Sequence, residues 1–146
     1  LKDSKKKKVA STIKRPKILI VEDENIIALD IQYILENLGY SVSDVVSSGE
    51  ESIEKASKIR PDLILMDIKL KGNIDGITAA EQIYNRFQIP VIYLTAYGNE
   101  GVMKRAKKVR HFGYINKPFE ERELQTVIEG ALIESNEYSN DKNITI

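Results

Sequence analysis

Five short apolar runs alternate with five longer amphipathic stretches along this chain, and that alternation constrains its fold more than any other feature. The runs lie at 18–21, 42–46, 63–66, 91–94 and 114–115. They are too short for core helices and end at polar, Gly or Pro residues, as buried strands do. Between the first two, apolar residues at Ile27, Ile31, Ile34, Leu35 and Leu38 repeat at helical spacing, and Gly39 suits a helix end that needs positive φ. Ser48 and Glu51 have the spacing of a capping box, and Pro61 predicts that the second helix stops near Ile59. Ile77, Ala80, Ile83, Tyr84 and Phe87 mark a third helix. Val102, Ala106 and Val109 mark a short basic fourth, and Leu124, Val127, Ile128 and Ala131 a fifth. Repeated strand–helix alternation predicts an α/β fold, a doubly wound parallel sheet of five strands with helices on both faces.

Polar residues stand where the apolar runs stop. Glu22 and Asp23 follow I-L-I-V, Asp67 follows L-I-L-M, Thr95 follows V-I-Y-L and Lys117 follows Y-I-N. In open parallel sheets ligands bind beyond the carboxyl ends of the strands, at the switch in strand order. Each residue has an ordinary role on its own, as a turn, a cap or a surface lysine. Together they predict one polar site. Three crowded carboxylates repel one another, and a divalent cation relieves the conflict. An all-oxygen donor set favours Mg²⁺, with Mn²⁺ as the alternative. Asp67 is then placed to act as a nucleophile that forms an acyl phosphate, while Thr95 and Lys117 donate to the phosphoryl oxygens. No Gly-rich phosphate loop is present, so direct ATP binding is not expected.

Composition excludes several other classes. The 146-residue chain has no cysteine, which excludes disulfide and thiolate chemistry, and a single histidine, His111, which leaves little scope for a zinc site or a Ser-His-Asp triad. No apolar run approaches the roughly 20 residues needed to cross a bilayer, and the lysine-rich start has no apolar segment of a secretory signal, so the expected location is cytoplasmic. The net charge of zero conceals +6 over residues 1–15 and −6 over the rest. A mildly acidic body argues against direct nucleic-acid binding and gives no reason to expect a membrane partner. Residues 1–15 are expected to be a basic disordered tail, 16–135 one domain, and 136–146 a disordered tail or the start of a truncated linker.

The ordered set I-L-I-V-E-D-E at 18–24, L-I-L-M-D at 63–67, D-G at 75–76, Y-L-T-A at 93–96 and G-Y-I-N-K-P-F at 113–119 resembles the receiver domain of two-component response regulators. The resemblance spans about residues 16 to 135. It implies a flavodoxin-like sheet of order 2-1-3-4-5. It also implies that Asp67 takes a phosphoryl group from a sensor histidine kinase or phosphotransfer protein. Mg²⁺ would be held by Asp23, Asp67 and the main-chain carbonyl of Lys69, with Glu22 acting mostly through metal-bound water. Thr95 and Tyr114 match the switch positions, and the bond after Lys117 is commonly cis in the family. Such a domain signals through its fourth helix, fifth strand and fifth helix, where Lys104, Arg105, Lys107, Lys108 and Arg110 cluster. The same face is a candidate for homodimerisation or for contact with an unknown output protein or domain.

Two departures from the family pattern concern the loop from Asp67 to Gly76, which is one residue longer than usual and carries Lys71 where proline is common. An aspartate-nucleophile phosphatase is the enzymatic rival, but it needs a second acid two residues after the nucleophile, where Lys69 stands. A pseudo-receiver that takes no phosphate is the other, and the full set of acids with Thr95 and Lys117 counts against it. The expected protein is a signalling phosphoacceptor and not an enzyme acting on other molecules.

Overall fold

The computed structural model describes residues 15–96, 100–108 and 112–144, with the backbone alone for Glu100 and 137–144. The expected tail at 1–15, apart from Arg15, lies outside the described residues, as do Val109, Arg110 and His111. Five strands alternate with five helices. They are β1 (Lys17–Val21), α1 (Asn25–Asn37), β2 (Ser41–Val46), α2 (Gly49–Ile59), β3 (Leu63–Asp67), α3 (Gly76–Phe87), β4 (Val91–Ala96), α4 (Glu100–Lys108), β5 (Gly113–Lys117) and α5 (Glu121–Ile144). All strand pairs are parallel and the order is β2-β1-β3-β4-β5. The fold is therefore the parallel α/β sheet that the alternation predicts, in the flavodoxin-like order that the resemblance implies.

Strand side chains point alternately to opposite faces, so each central strand feeds two cores. Leu19, Val21, Ile64, Met66, Val91 and Tyr93 pack against Ala56 of α2, Ile77, Ala80 and Ile83 of α3 and Ala106 of α4. Ile18, Ile20, Leu63, Leu65, Ile92, Leu94 and Ile115 pack against Ile31 and Leu35 of α1 and Leu124, Ile128 and Ala131 of α5. Burial on both faces explains why β1 and β3 read as unbroken apolar runs and not as alternating ones. Each fully buried Leu or Ile contributes about 1.5–3 kcal/mol.

Local signals end the helices as their chemistry requires. The Gly39 amide donates to the Glu36 carbonyl and the Tyr40 amide to that of Leu35, a Schellman arrangement with Gly39 at φ +94°. Ser48 caps α2 by accepting from the Glu51 amide at 3.1 Å, and Asp75 caps α3 by accepting from the Thr78 amide at 2.9 Å. On the edge strand β2, Ser43 is the extra residue of a register shift, and its hydroxyl donates to the Ile18 carbonyl at 3.2 Å.

Two features differ from the sequence reading. The strands run on through Asp67, Thr95 and Lys117, because the ladder continues beneath these polar side chains: the Ile68 amide still donates to the Leu94 carbonyl at 3.1 Å. The fifth helix extends to Ile144, through the segment expected from residue 136 onward to be disordered or linker. Residues 136–144 lack apolar periodicity, but they contain neither Gly nor Pro. A nucleated helix needs only one further hydrogen bond per residue to propagate.

Two glycine substitutions should act in opposite directions in urea unfolding. A Cβ at Gly76 would lie 2.1 Å from the Asp67 carbonyl oxygen, so Gly76→Ala is expected to destabilise by about 3 kcal/mol. A Cβ at Gly130, on the exposed side of α5, meets nothing within 4 Å, so Gly130→Ala is expected to stabilise by about 0.5–1 kcal/mol.

Candidate functional site

The carboxyl ends of β1, β3, β4 and β5 lie together at one edge of the sheet, and their registers set the site. Val21 pairs with Met66, Asp67 with Leu94, and Leu94 with Ile115, so Glu22 and Asp67 stand level on adjacent strands. Lys117 lies two residues beyond Ile115 on the same side of β5, opposite the small Ala96. It reaches across β4 to donate to Glu22 Oε1 at 2.5 Å and to Asp67 Oδ2 at 3.0 Å. The Lys117–Pro118 peptide bond is cis.

Both oxygens of Asp67 have partners, because the Lys69 amide donates to Oδ1 at 3.1 Å. Glu22 is buried and its second oxygen accepts from the Glu24 amide at 3.4 Å. Ligand oxygens of Glu22, Asp23 and Asp67 lie within 4.8 Å of one another. Asp23, Glu24, Asp67, Ile68, Lys69, Thr95, Ala96 and Lys117 line a cleft of about 210 Å³. Thr95 is buried beside it, with its hydroxyl donating to the Ala96 carbonyl at 3.3 Å. The sequence-predicted residues Glu22, Asp23, Asp67, Lys69, Thr95 and Lys117 thus come to one place. Tyr114 does not: it lies on β5 beside Tyr93, 43% exposed.

The charges explain one another. Burial pushes Glu22 up to about 7, reinforced by the adjacent Asp67 and opposed by Lys117. For Lys117, burial works against the charged form, but the hydrogen bonds to Glu22 and Asp67 outweigh it and hold the pKa above the ordinary lysine value. Three acids and one amine leave excess negative charge in a half-enclosed cleft. An oxygen-only donor set of this charge and spacing fits a hard divalent cation such as Mg²⁺.

Residues 18–129 match the family described as "Response regulator receiver domain". The chain belongs to the response-regulator receiver family. It is 34% identical over 116 residues to the transcriptional regulatory protein PdtaR of Mycobacterium tuberculosis, covering 80% of this chain and 56% of that protein. It is 36% identical over 117 residues to the alkaline phosphatase synthesis transcriptional regulatory protein PhoP of Bacillus subtilis, covering 80% and 48%. The chain spans about half the length of these curated relatives. Among solved structures, a receiver domain protein (CheY-like) from Methanospirillum hungatei superposes with a TM-score of 0.78 at 27% identity, covering 86% of this chain and 99% of that one. The N-terminal domain of a response regulator/sensory box/GGDEF 3-domain protein from Carboxydothermus hydrogenoformans gives 0.77 at 39% identity, covering 84% and 98%. Receiver domains are signalling phosphoacceptors that partner histidine kinases and not enzymes in the ordinary sense. The pocket of Glu22, Asp23 and Asp67 is consistent with the acceptor site, and such an acidic cluster is typical of the receiver Mg²⁺ site. No helix among the described residues is long and apolar enough to cross a membrane.

Two polar contacts around the site escape a reading of single residues. Arg105 of α4 forms a two-pronged ion pair with Asp75 and donates to Thr78 Oγ1 at 2.7 Å. Burial of Asp75 works toward a higher pKa, but the Arg105 and Thr78 hydrogen bonds leave it below the ordinary carboxylate value. Glu50 of α2 accepts from the Ile74 amide at 3.0 Å. Both contacts join residues more than 20 apart in the chain, and only the acidic first turn of α2 hints at either.

A proton retained by Glu22 in the folded state gives stability a definite pH dependence. Unfolded, this carboxyl titrates near 4.5, and folded, near 7. The native state therefore binds more protons between these values, and its stability falls as pH rises through them, by roughly 3 kcal/mol in Mg²⁺-free buffer. Urea unfolding at pH 4.5 and pH 7.5 with a chelator measures the slope, and Glu22→Gln is expected to flatten it.

Proposed function

We propose that Asp67 accepts a phosphoryl group from the phosphohistidine of a sensor histidine kinase or phosphotransfer protein, and that the resulting aspartyl phosphate shifts the α4–β5–α5 face. The observation that carries this reading is the position of Lys117. Its ammonium already bridges Glu22 and Asp67, with Asp23 alongside and the Thr95 hydroxyl at the same cleft.

In the transfer, a carboxylate oxygen of Asp67 attacks phosphorus while the bond from phosphorus to the histidine nitrogen breaks. The departing imidazole keeps the bonding electrons and takes a proton, and the product is an acyl phosphate. Asp23, Asp67 and the main-chain carbonyl of Lys69 are the residues that would hold Mg²⁺ (or Mn²⁺), with Glu22 acting through water. Such an ion supplies charge neutralisation for the transferring group. Lys117 follows the new charge from the carboxylate to a phosphoryl oxygen. Thr95 gives up its contact with the Ala96 carbonyl and donates to another.

The modification adds about −1.5 to −2 charges at the sheet edge. Two hydrogen bonds to it contribute roughly 3–6 kcal/mol together. Driving a two-state equilibrium from 1:99 to 99:1 takes about 5.5 kcal/mol. Because only the difference between states counts, phosphorylation shifts the population and a bound partner completes the change. Rotation of Thr95 opens space that Tyr114, exposed on β5, turns in to fill. The basic residues Lys104, Lys107 and Lys108 of α4 make that face the candidate contact for an output protein or a second copy of the chain. On family grounds the domain works in the cytoplasm.

Incubation with Mg²⁺ and acetyl phosphate is expected to add one phosphoryl group by mass spectrometry. Asp67→Asn and metal chelation should each abolish the adduct. Multiple turnover of a phosphomonoester would support the phosphatase alternative, and an unmodified wild type the pseudo-receiver. With beryllofluoride, amide NMR shifts are expected to spread from residue 67 to α4 and β5, and Thr95→Ala should confine them to the cleft.

A further inference from the structure

The loop between β3 and α3 leaves Asp67 and returns to it. At its neck the Gly76 amide donates to the Ile68 carbonyl at 2.9 Å, and Gly76 lies so close to the Asp67 carbonyl that no Cβ fits. Both ends of the loop therefore meet beside the acceptor. Ile68 is buried, and Leu70 and Ile74 pack partly buried against the same core, which keeps the loop on the body. Apolar contact is not directional, however, and does not fix where the backbone amides and carbonyls point.

The tip gets its direction from α2. Ser48 and Lys71 form an isolated parallel bridge, and the Ile74 amide donates to Glu50 Oε1. Gly72, at φ +105°, passes so close to Glu50 that a Cβ would lie 2.4 Å from Oε2. Ile74 also fills the space beside Gly49, where a Cβ would lie 2.8 Å from its Cγ1. The Glu50 carboxylate sits in the first turn of a helix, where the macrodipole favours a negative charge. It is thereby held in place to receive the loop amide.

We propose that Glu50 is a positioning residue for the acceptor loop: by holding the Ile74 amide it sets the path of residues 68–74. It thereby sets the aim of the Lys69 main chain and of Asp67 toward the bound cation. This rests on the reading of Asp67 as the phosphoacceptor. Glu50 touches neither cation nor phosphate, so it acts only through the backbone.

The test uses the whole chain with Glu50→Ala, Glu50→Gln and Ser48→Ala. Mg²⁺ itself is titrated, read by the amide signals of Lys69 and Asp67, and hydrogen exchange is followed at Ile74. Glu50→Ala should raise the Mg²⁺ midpoint, by less than the roughly tenfold that losing a direct partner of a metal ligand costs, and quicken exchange at Ile74. Glu50→Gln should behave as wild type, since its amide oxygen accepts the same bond. Ser48→Ala removes the α2 cap and should lower Tm while leaving the Mg²⁺ midpoint in place. An unchanged midpoint in Glu50→Ala would overturn the proposal. So would an equal change in Ser48→Ala, or a Glu50→Gln that matches the alanine variant. If wild type binds Mg²⁺ but takes no phosphate from acetyl phosphate, the acceptor reading fails, and the midpoints still decide the role of Glu50.

Discussion

The bridge that Lys117 makes between Glu22 and Asp67 is the interaction on which the arrangement of this domain turns. Each carboxylate follows four buried apolar residues of its strand, and Glu22 is removed from water. Polar groups so placed need partners, and the Lys117 ammonium supplies one to each. The strand order supplies the geometry. β1 and β3 are neighbours, which sets the two acids side by side, and β5 lies two strands beyond β3, from where the long Lys117 side chain reaches back over Ala96 of β4. A bulkier residue at position 96 would stand in the path. The gathering of the three acids and Lys117 is thus a consequence of the same sheet that buries the two cores.

Much of this was readable in the sequence because it depends on local periodicity. The apolar runs of β1, β3 and β4 and the helical spacing from Ile27 to Leu38 mark elements that then form at those places. Placing polar residues at strand ends was enough to gather Glu22, Asp23, Asp67, Thr95 and Lys117, because a parallel sheet brings all its carboxyl ends to one edge. What stayed hidden depends on tertiary packing. Arg60 and Gln88 close their helices in the left-handed region without being glycine. Arg60 then lies 4.5 Å from the centre of the Phe87 ring, a compensation visible only once α2 and α3 are side by side. The same holds for Glu50 with Ile74 and Arg105 with Asp75, whose pairing no spacing rule reports.

The polar contacts also divide the work around Asp67. Glu22 and Lys117 hold the strand ends, and Gly76 closes the neck of the loop. Asp75 has two tasks: it caps α3 through the Thr78 amide, and it receives Arg105. Tyr93, whose hydroxyl is raised in pKa chiefly by burial, lies close enough to feel the charges of both. A chain of named contacts therefore runs from Asp67 through Gly76 and Asp75 to α4.

α4 itself is lightly attached. Ala106 is buried, Val102 and Met103 are partly so, and Arg105 supplies the ion pair. Because that pair is substantially exposed, its contribution is small and mobile ions weaken it. The docking of this helix thus carries a sensitivity to ionic strength that the deeply set carboxylates around Asp67 do not share. Surroundings rich in salt would loosen α4 while leaving the acidic cleft intact.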